Sequence, residues 1–469
     1  MAGRCKILVT VGHFASAQTL NGGNKRYSER STYYPANVRL TLQRTFDQLY
    51  SDNMDIMISR NVFDWGNELL SHFPAVVIQG ARQVGKSTFA SMLTQDRPHM
   101  SFTLDDPNTL IAAQQDPTSF VTQAGTGILV IDEIQRDPGL LLAIKAQIDA
   151  DRRPGRFLLT GSSDLLRLSQ TPDSLAGRAV TVELGGFSQG ELRGRREDFG
   201  ALARHPDNLG LGGPSSWTRN DYIQTLAKGS YPEAQNLTSR LRKTWFDSYI
   251  NRLLMRDVGD VSRGLSTDRL LSVVRLIAAN QGGEVVQARL ADSLAMPKSS
   301  VNSYLSALST LYLTNDILPW RANLTKRQTG RHKISIADSG LALHLAKLTP
   351  DVLEPLTAAP TLGLQLEAFV ASELTKQRGW SSEEYELFHF RDRNGLEVDL
   401  VIEFSDGHIF LIEVKATGTL RSEHSKQIKA LGAKLGDRFI GGAVLTLVPN
   451  RISLGDNVWA LPISALWES

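Results

Sequence analysis

Residues Gly80, Ala81, Arg82, Gln83, Val84, Gly85, Lys86, Ser87 and Thr88 fit the pattern G-x-x-x-x-G-K-S/T, which cradles phosphates. The flanking sequence suits it. Ala75-Val-Val-Ile-Gln79 is a short apolar run, predicted as a buried parallel strand. Ser87 to Leu93 is predicted to open a helix. Strand, glycine loop and helix N-terminus together make an anion site, because backbone N–H groups and the positive end of the helix dipole point at the ligand. Gly80 and Gly85 allow backbone conformations and close approaches that a Cβ hinders. In such a loop Lys86 reaches the β- and γ-phosphates and Ser87 ligates Mg²⁺. ATP is therefore the expected ligand.

Gly127-Ile-Leu-Val-Ile-Asp132-Glu133 is an apolar run ending in two carboxylates. It is predicted as a second buried strand, beside the first. Asp132 is expected to hold Mg²⁺ and Glu133 to polarise the attacking water as general base. A third apolar strand, Arg156 to Thr160, runs into Gly161-Ser162-Ser163. Ser162 is a candidate γ-phosphate sensor there, although strand-to-turn junctions commonly carry Ser and Gly. Arg178 is a candidate cation for the transition state, the alternative being a surface salt-bridge partner.

The length of 469 residues allows roughly two to four domains. Formal net charge is +2, so a nucleic-acid site, if present, must be a local basic patch. Cys5 is the one cysteine, which excludes an intrachain disulfide and a cysteine metal cluster. No apolar run approaches a membrane span, and the chain reads as cytoplasmic. Residues 1–53 are rich in Asn, Ser, Tyr, Arg and Gly without steady periodicity. Residues 1–55 are expected to be a disordered tail or a mis-called start.

A P-loop ATPase domain is expected over 56–200, entered by an amphipathic helix from Asn61 to Phe73. A polar loop is predicted from Arg195 to Asn220, within a helical linker or lid over 201–265. Residues 266–345 suggest a winged helix. Three helical patterns, Leu270–Ala279, Val286–Ala295 and Ser299–Leu311, precede two short strands, Ile317–Trp320 and Lys333–Ile336. Ser299 or Ser300 is the expected N-cap of the third helix. The loop between the strands carries Lys326, Arg327 and Arg331, cations suited to DNA phosphates. The alternative is a helical module that packs on the ATPase and binds no DNA.

Glu397-Val-Asp399-Leu-Val-Ile-Glu403 alternates as a strand, and a turn at Ser405–Gly407 leads into a second strand carrying Glu413 and Lys415. The hairpin is predicted to bring Asp399 near Glu413 and Lys415. Two carboxylates can hold Mg²⁺ and a lysine can orient water against a phosphodiester. This is the D…E-x-K arrangement of PD-(D/E)xK nucleases. Glu367, on a predicted helix from Leu364 to Lys376, is a further candidate metal ligand, and Gln427 a weaker one. The alternative is a surface hairpin with solvated charges.

Taken with Leu104–Pro107, Leu159–Ser163, Leu175–Arg178, Gly229–Glu233, Asp338–Leu341 and Ile412–Lys415, these motifs resemble bacterial and archaeal AAA-superfamily ATPases that pair an AAA_14 domain with a C-terminal DUF4143 region. The resemblance covers nearly everything after about residue 56. It implies an α/β protein: a P-loop parallel sheet, a winged helix and, over 355–469, a restriction-endonuclease-like domain. The expected function is an ATP-hydrolysing, DNA-associated protein with a nuclease-like domain. The alternative is a nucleotide-switched regulator whose nuclease-like fold serves as a binding module. DNA and a second copy of the chain are the candidate partners besides ATP.

Overall fold

Strand β1 (Ala75–Gln79) is buried along its whole length and delivers the chain into the glycine loop. The computed structural model describes residues 58–162, 175–257, 265–323, 327 and 330–468. The tail over 1–55, Ser163 and Lys326 lie outside them. Helix α1 (Phe63–His72) precedes β1, and α2 (Lys86–Thr94) follows the loop.

Strands β2 (His99–Thr103), β3 (Ile128–Asp132), β4 (Phe157–Gly161) and β5 (Ala179–Glu183) complete an all-parallel sheet in the order β2-β3-β4-β1-β5. Both faces are covered. Val76 and Ile78 pack with Phe89 and Leu93 on one side, and Ala75 and Val77 with Leu140 and Ile144 on the other. This two-sided burial makes the strands continuous apolar runs. One expectation is corrected: β3 is not beside β1, because β4 lies between them. Two strand spacings, about 10 Å, therefore separate the glycine loop's strand from the one bearing the carboxylates. That gap suits a phosphate chain.

The segment predicted as a polar loop over 195–220 is partly helical. Helix α3 (Phe199–Arg204) is capped by Asp198, whose side chain accepts from Ala201 N–H, and a 3₁₀ turn covers Pro206–Gly210. Phe199 and Leu209 are fully buried in a core shared with the C-terminal strands. Composition concealed this, because only a few apolar residues do the docking.

Helix α4 (Arg219–Lys228) opens with a reciprocal Thr218–Asp221 capping box. Helices α5 (Ser239–Arg252), α6 (Thr267–Ala279), α7 (Gln287–Ser293) and α8 (Lys298–Thr310) follow. The N-cap of α8 is Pro297, not a serine, and it makes no side-chain cap bond. Its φ is already fixed by the pyrrolidine ring.

Strands β6 (Thr314–Pro319) and β7 (Lys333–Ile336) pair antiparallel. They are not a free wing, since β6 also pairs in parallel with β8 (Tyr385–Arg391). The hairpin thus extends the C-terminal sheet, whose order is β12-β13-β11-β10-β9-β8-β6-β7. Here β9 is Glu397–Phe404, β10 Ile409–Val414, β11 Phe439–Thr446, β12 Ile452–Ser453 and β13 Val458–Pro462. Helix α9 (Ala359–Gln377) packs on this sheet, and α10 (Lys426–Leu435), which carries Gln427, follows the β9–β10 hairpin.

Candidate functional site

Two sites take shape, one at each sheet. At the first, Gly80 has a φ of 153°, and a Cβ there would meet the Leu184 carbonyl oxygen at 2.1 Å. The close approach exists because Leu184 N–H donates to the Gln79 carbonyl at 2.7 Å. Gly85 caps α2 from the left-handed region, with φ 94°. Lys86 is buried, and its ammonium donates to the Gly80 and Ala81 carbonyls at 3.1 and 2.9 Å. The Ser87 hydroxyl donates to Asp132 Oδ1 at 2.7 Å, joining the glycine loop to the end of β3. Thr160 also donates to Asp132 Oδ1, and Glu133 N–H donates to Thr160 at 3.2 Å.

Glu133 has a left-handed backbone, φ 58°, a strained conformation for a non-glycine residue and typical of functional turns. Its Oε2 accepts from the Gln135 amide and from the Ser162 hydroxyl at 3.2 Å. Ser87, Asp132, Glu133 and Ser162 are thereby brought together. Arg178 is not among them. It directly precedes Ala179, which pairs with Ala75 at the opposite end of β1 from the loop. Its guanidinium is bound to Asp149 at 2.7 Å.

Several further residues contribute. Arg60 is buried beneath the loop, donating to the Val84 carbonyl at 3.1 Å and pairing with Glu191 at 3.1 Å. Thr160 and Gln135 orient the two carboxylates. Trp245, Ser248, Tyr249 and Arg252 from α5 line a small open cavity with Arg82 and Gln83. The only available hint was that α5 is aromatic on one side.

At the second sheet, the β9–β10 register pairs Ile412 with Leu400, and its continuation sets Glu413 opposite Asp399. Asp399 Oδ2 accepts from Val414 N–H at 2.8 Å and lies 3.7 Å from the Lys415 ammonium. Lys415 also donates to Glu413. Glu367, from α9, pairs with the Lys333 ammonium at 2.6 Å, and Glu397 lies 3.6 Å from that same ammonium. The predicted residues Glu367, Asp399, Glu413 and Lys415 therefore share one small cluster. Lys333, which ends the basic segment that was expected to meet phosphates, sits among them instead. Burial, and then the Asp399 charge, push the Glu367 and Glu413 carboxyls upward. Lys333 is pushed upward as well: burial opposes its charge, but the surrounding carboxylates outweigh burial.

The chemistry of the two donor sets differs. Ser87 and Asp132 fit an oxygen-ligated Mg²⁺ beside a nucleotide. The carboxylates of the second cluster do not fit a divalent metal as they stand, because two lysine ammoniums already lie on them. Among the described residues no group of three or more Asp, Glu, His or Cys side chains is arranged to hold a metal ion.

In the basic segment before β7, Arg327 turns inward. Arg327 is buried, forms a bidentate pair with Glu403 at 2.5 and 3.0 Å, and lies over the Phe388 ring at 4.8 Å. Arg331 is mostly exposed and 3.9 Å from Glu284. Of the three cations expected to meet phosphates, one is consumed internally and Lys326 falls outside the described residues.

Residues 72–193 match the AAA_14 family, described as an AAA domain. Residues 219–352 and 362–466 match DUF8612 and DUF4143, both described as domains of unknown function. Uncharacterized proteins of Mycobacterium bovis and Mycobacterium tuberculosis are each 29% identical over 398 residues, covering 84% of this chain and 81% of theirs. Among solved structures, a Walker-type ATPase of Pyrococcus abyssi is 16% identical with a TM-score of 0.39, covering 62% of this chain and 96% of that one. The AMPPCP-bound DnaA of Aquifex aeolicus is 12% identical with a TM-score of 0.26, covering 59% and 89%. The family match places an AAA-type domain over residues 72–193, the stretch that holds the glycine loop and the acidic strand end. Among the described residues no helix is long and apolar enough to cross a membrane.

Proposed function

We propose that the chain binds ATP with Mg²⁺ in the glycine loop and hydrolyses it. The observation that carries this reading is the 2.7 Å hydrogen bond between Ser87 and Asp132, which brings the phosphate loop and the acidic strand end to one point. Backbone amides of the loop and the N-terminus of α2 bind the phosphates. Lys86 leaves its loop carbonyls to neutralise the terminal phosphates. Mg²⁺, held by Ser87 and Asp132, supplies charge neutralisation when bound. Glu133 accepts a proton from the attacking water. Ser162 and Gln135 hold that carboxylate and are positioned to report on the terminal phosphate.

The test is a pair of variants assayed for nucleotide affinity and phosphate release. Lys86→Ala is expected to lose binding or turnover, while Glu133→Gln keeps ATP and loses roughly 10²-fold or more in rate. Wild-type affinity and turnover in Lys86→Ala would sink the assignment.

DNA association is part of the same proposal. Lys298, Ser299, Asn302 and Ser303 leave an exposed polar face on α8, a suitable surface for a nucleic-acid backbone. A second reading, the nucleotide-switched regulator with an inactive nuclease-like module, is favoured by one contact. Tyr312 donates to Gln79 Oε1 at 2.9 Å. Gln79 directly precedes the glycine loop, and Tyr312 lies two residues before β6. Turnover separates the two: a switch holds ATP and hydrolyses it very slowly.

A further inference from the structure

The carboxylate cluster of the C-terminal sheet receives a charge from outside its own hairpin. Strand β7 inserts Lys333, a buried residue, whose ammonium lies 2.6 Å from Glu367 and 3.6 Å from Glu397. Lys415 covers the other side, 3.7 Å from Asp399 and bonded to Glu413. Burying an ammonium is costly unless it is paired and hydrogen-bonded, so the placement of Lys333 is set by these acids.

The backbone holds it there. Lys333 bridges to Glu284 in antiparallel fashion, Val285 N–H donates to the His332 carbonyl at 2.9 Å, and Gln281 makes two 3.0 Å bonds with the backbone of Ile336. Gly282 closes over the same place: a Cβ there would lie 3.6 Å from Glu367 Oε1. The turn before α7 and strand β7 thus form a strap across the acids. Side-chain exposure is 34% at Lys415 and 36% at Glu397, against 7% for Lys333 and 4% for Glu413.

We propose that Lys333 is the resident cation of this cluster, a built-in counter-ion that keeps divalent metal out for as long as β7 stays in the sheet. A hard cation needs several oxygen ligands with free lone pairs. Here Glu367 and Glu413 each spend an oxygen on an ammonium, and Asp399 spends one on the Val414 amide. The disagreement between the acid constellation and a metal centre comes from two ammoniums, and Lys333 is the one that reaches Glu367 and Glu397 from outside the hairpin. Removing this one side chain should uncover a cation site.

The experiment is a Mn²⁺ titration of the full chain without nucleotide, read by electron paramagnetic resonance of free Mn²⁺ and by thermal melting. Wild type is expected to bind Mn²⁺ weakly, with no dependence on Glu413. Lys333→Met is expected to melt lower, to recover several degrees with Mn²⁺, and to bind the ion on the order of tenfold or more tightly. Adding Glu413→Gln should abolish that gain. If Lys333→Met does not fold, Lys333→Gln keeps a polar group beside Glu367 without the charge and is titrated in the same way. Tight wild-type binding that Glu413→Gln removes would overturn the proposal, as would unchanged Mn²⁺ affinity in the lysine variants. Because no nucleotide is present, failure here leaves the ATPase reading intact.

Discussion

Glu197 shows how a single carboxyl can set the pH response of this protein. It is almost fully buried, accepts from the Asn61 amide at 2.7 Å, and lies near Glu373 and Glu191. Burial, opposed by a hydrogen bond from Ser188, pushes its carboxyl up to about 7. Between about 4.5, the ordinary value, and about 7, the folded chain keeps a proton that the unfolded chain has lost. Its contribution to stability is therefore fully present below that window, falls as pH rises through it, and is gone above it. Glu197→Gln should flatten this part of the profile, by up to roughly 3 kcal/mol between its ends. Denaturant melts of both proteins at pH 5 and pH 7.5 measure the difference. An identical pH dependence in the two would mean that Glu197 is ionised throughout.

The β6–β7 hairpin and its basic loop were the element most open to two readings, and their arginines have separable roles. Arg327 spends its guanidinium on Glu403, which also accepts from Arg438 at 2.7 Å, so Arg327→Ala leaves a buried acid under-compensated. The expected cost is roughly 3–5 kcal/mol, with any change in DNA affinity following from misfolding. Arg331 is exposed, so Arg331→Ala should leave the melting temperature nearly unchanged. If this loop meets DNA, Arg331→Ala should reduce the logarithmic salt slope of binding by about one. An unchanged slope assigns the loop to packing alone. These roles explain what was legible from sequence. Buried parallel strands such as β1 and β3 announce themselves as apolar runs, and the loop motif carries its own punctuation in Gly80, Gly85 and Lys86. Strand order does not, because β3 and β4 are equally apolar, and Arg178 could not be located without it. Lys333 opens a short strand at the end of a basic run, so its sequence neighbours point to phosphates rather than to a buried acid. Its partner Glu367 is 34 residues away and meets it only through tertiary folding.

At the scale of the molecule, one apolar core joins residues of the nucleotide loop to the strand that carries Lys333. Val76, Ile78 and Val84 share it with Tyr249 and Ile250 of α5, Val273 and Ile277 of α6, Leu308 and Leu311 around the end of α8, and Ile334 and Ile336 of β7. A packed core of this kind shifts between discrete arrangements rather than deforming smoothly. One polar contact that crosses it at the nucleotide end is Tyr312 with Gln79, and Tyr312 holds a left-handed backbone of φ 56°, a conformation that the surrounding structure must enforce. Tyr312→Phe deletes the hydroxyl and keeps the ring, so it should cost only about 1 kcal/mol of stability and leave nucleotide affinity close to wild type. If nucleotide binding is coupled to the hairpin, a non-hydrolysable ATP analogue should change hydrogen exchange across β6 and β7 in wild type and change it less in Tyr312→Phe. Linkage then requires the reverse effect: in Lys333→Met, where β7 has lost its anchor, the affinity for that analogue should shift by the same coupling free energy. Hairpin exchange that is indifferent to nucleotide in wild type would break this chain of argument at its first step, leaving an ATPase and an acidic cluster that share a core without sharing a signal.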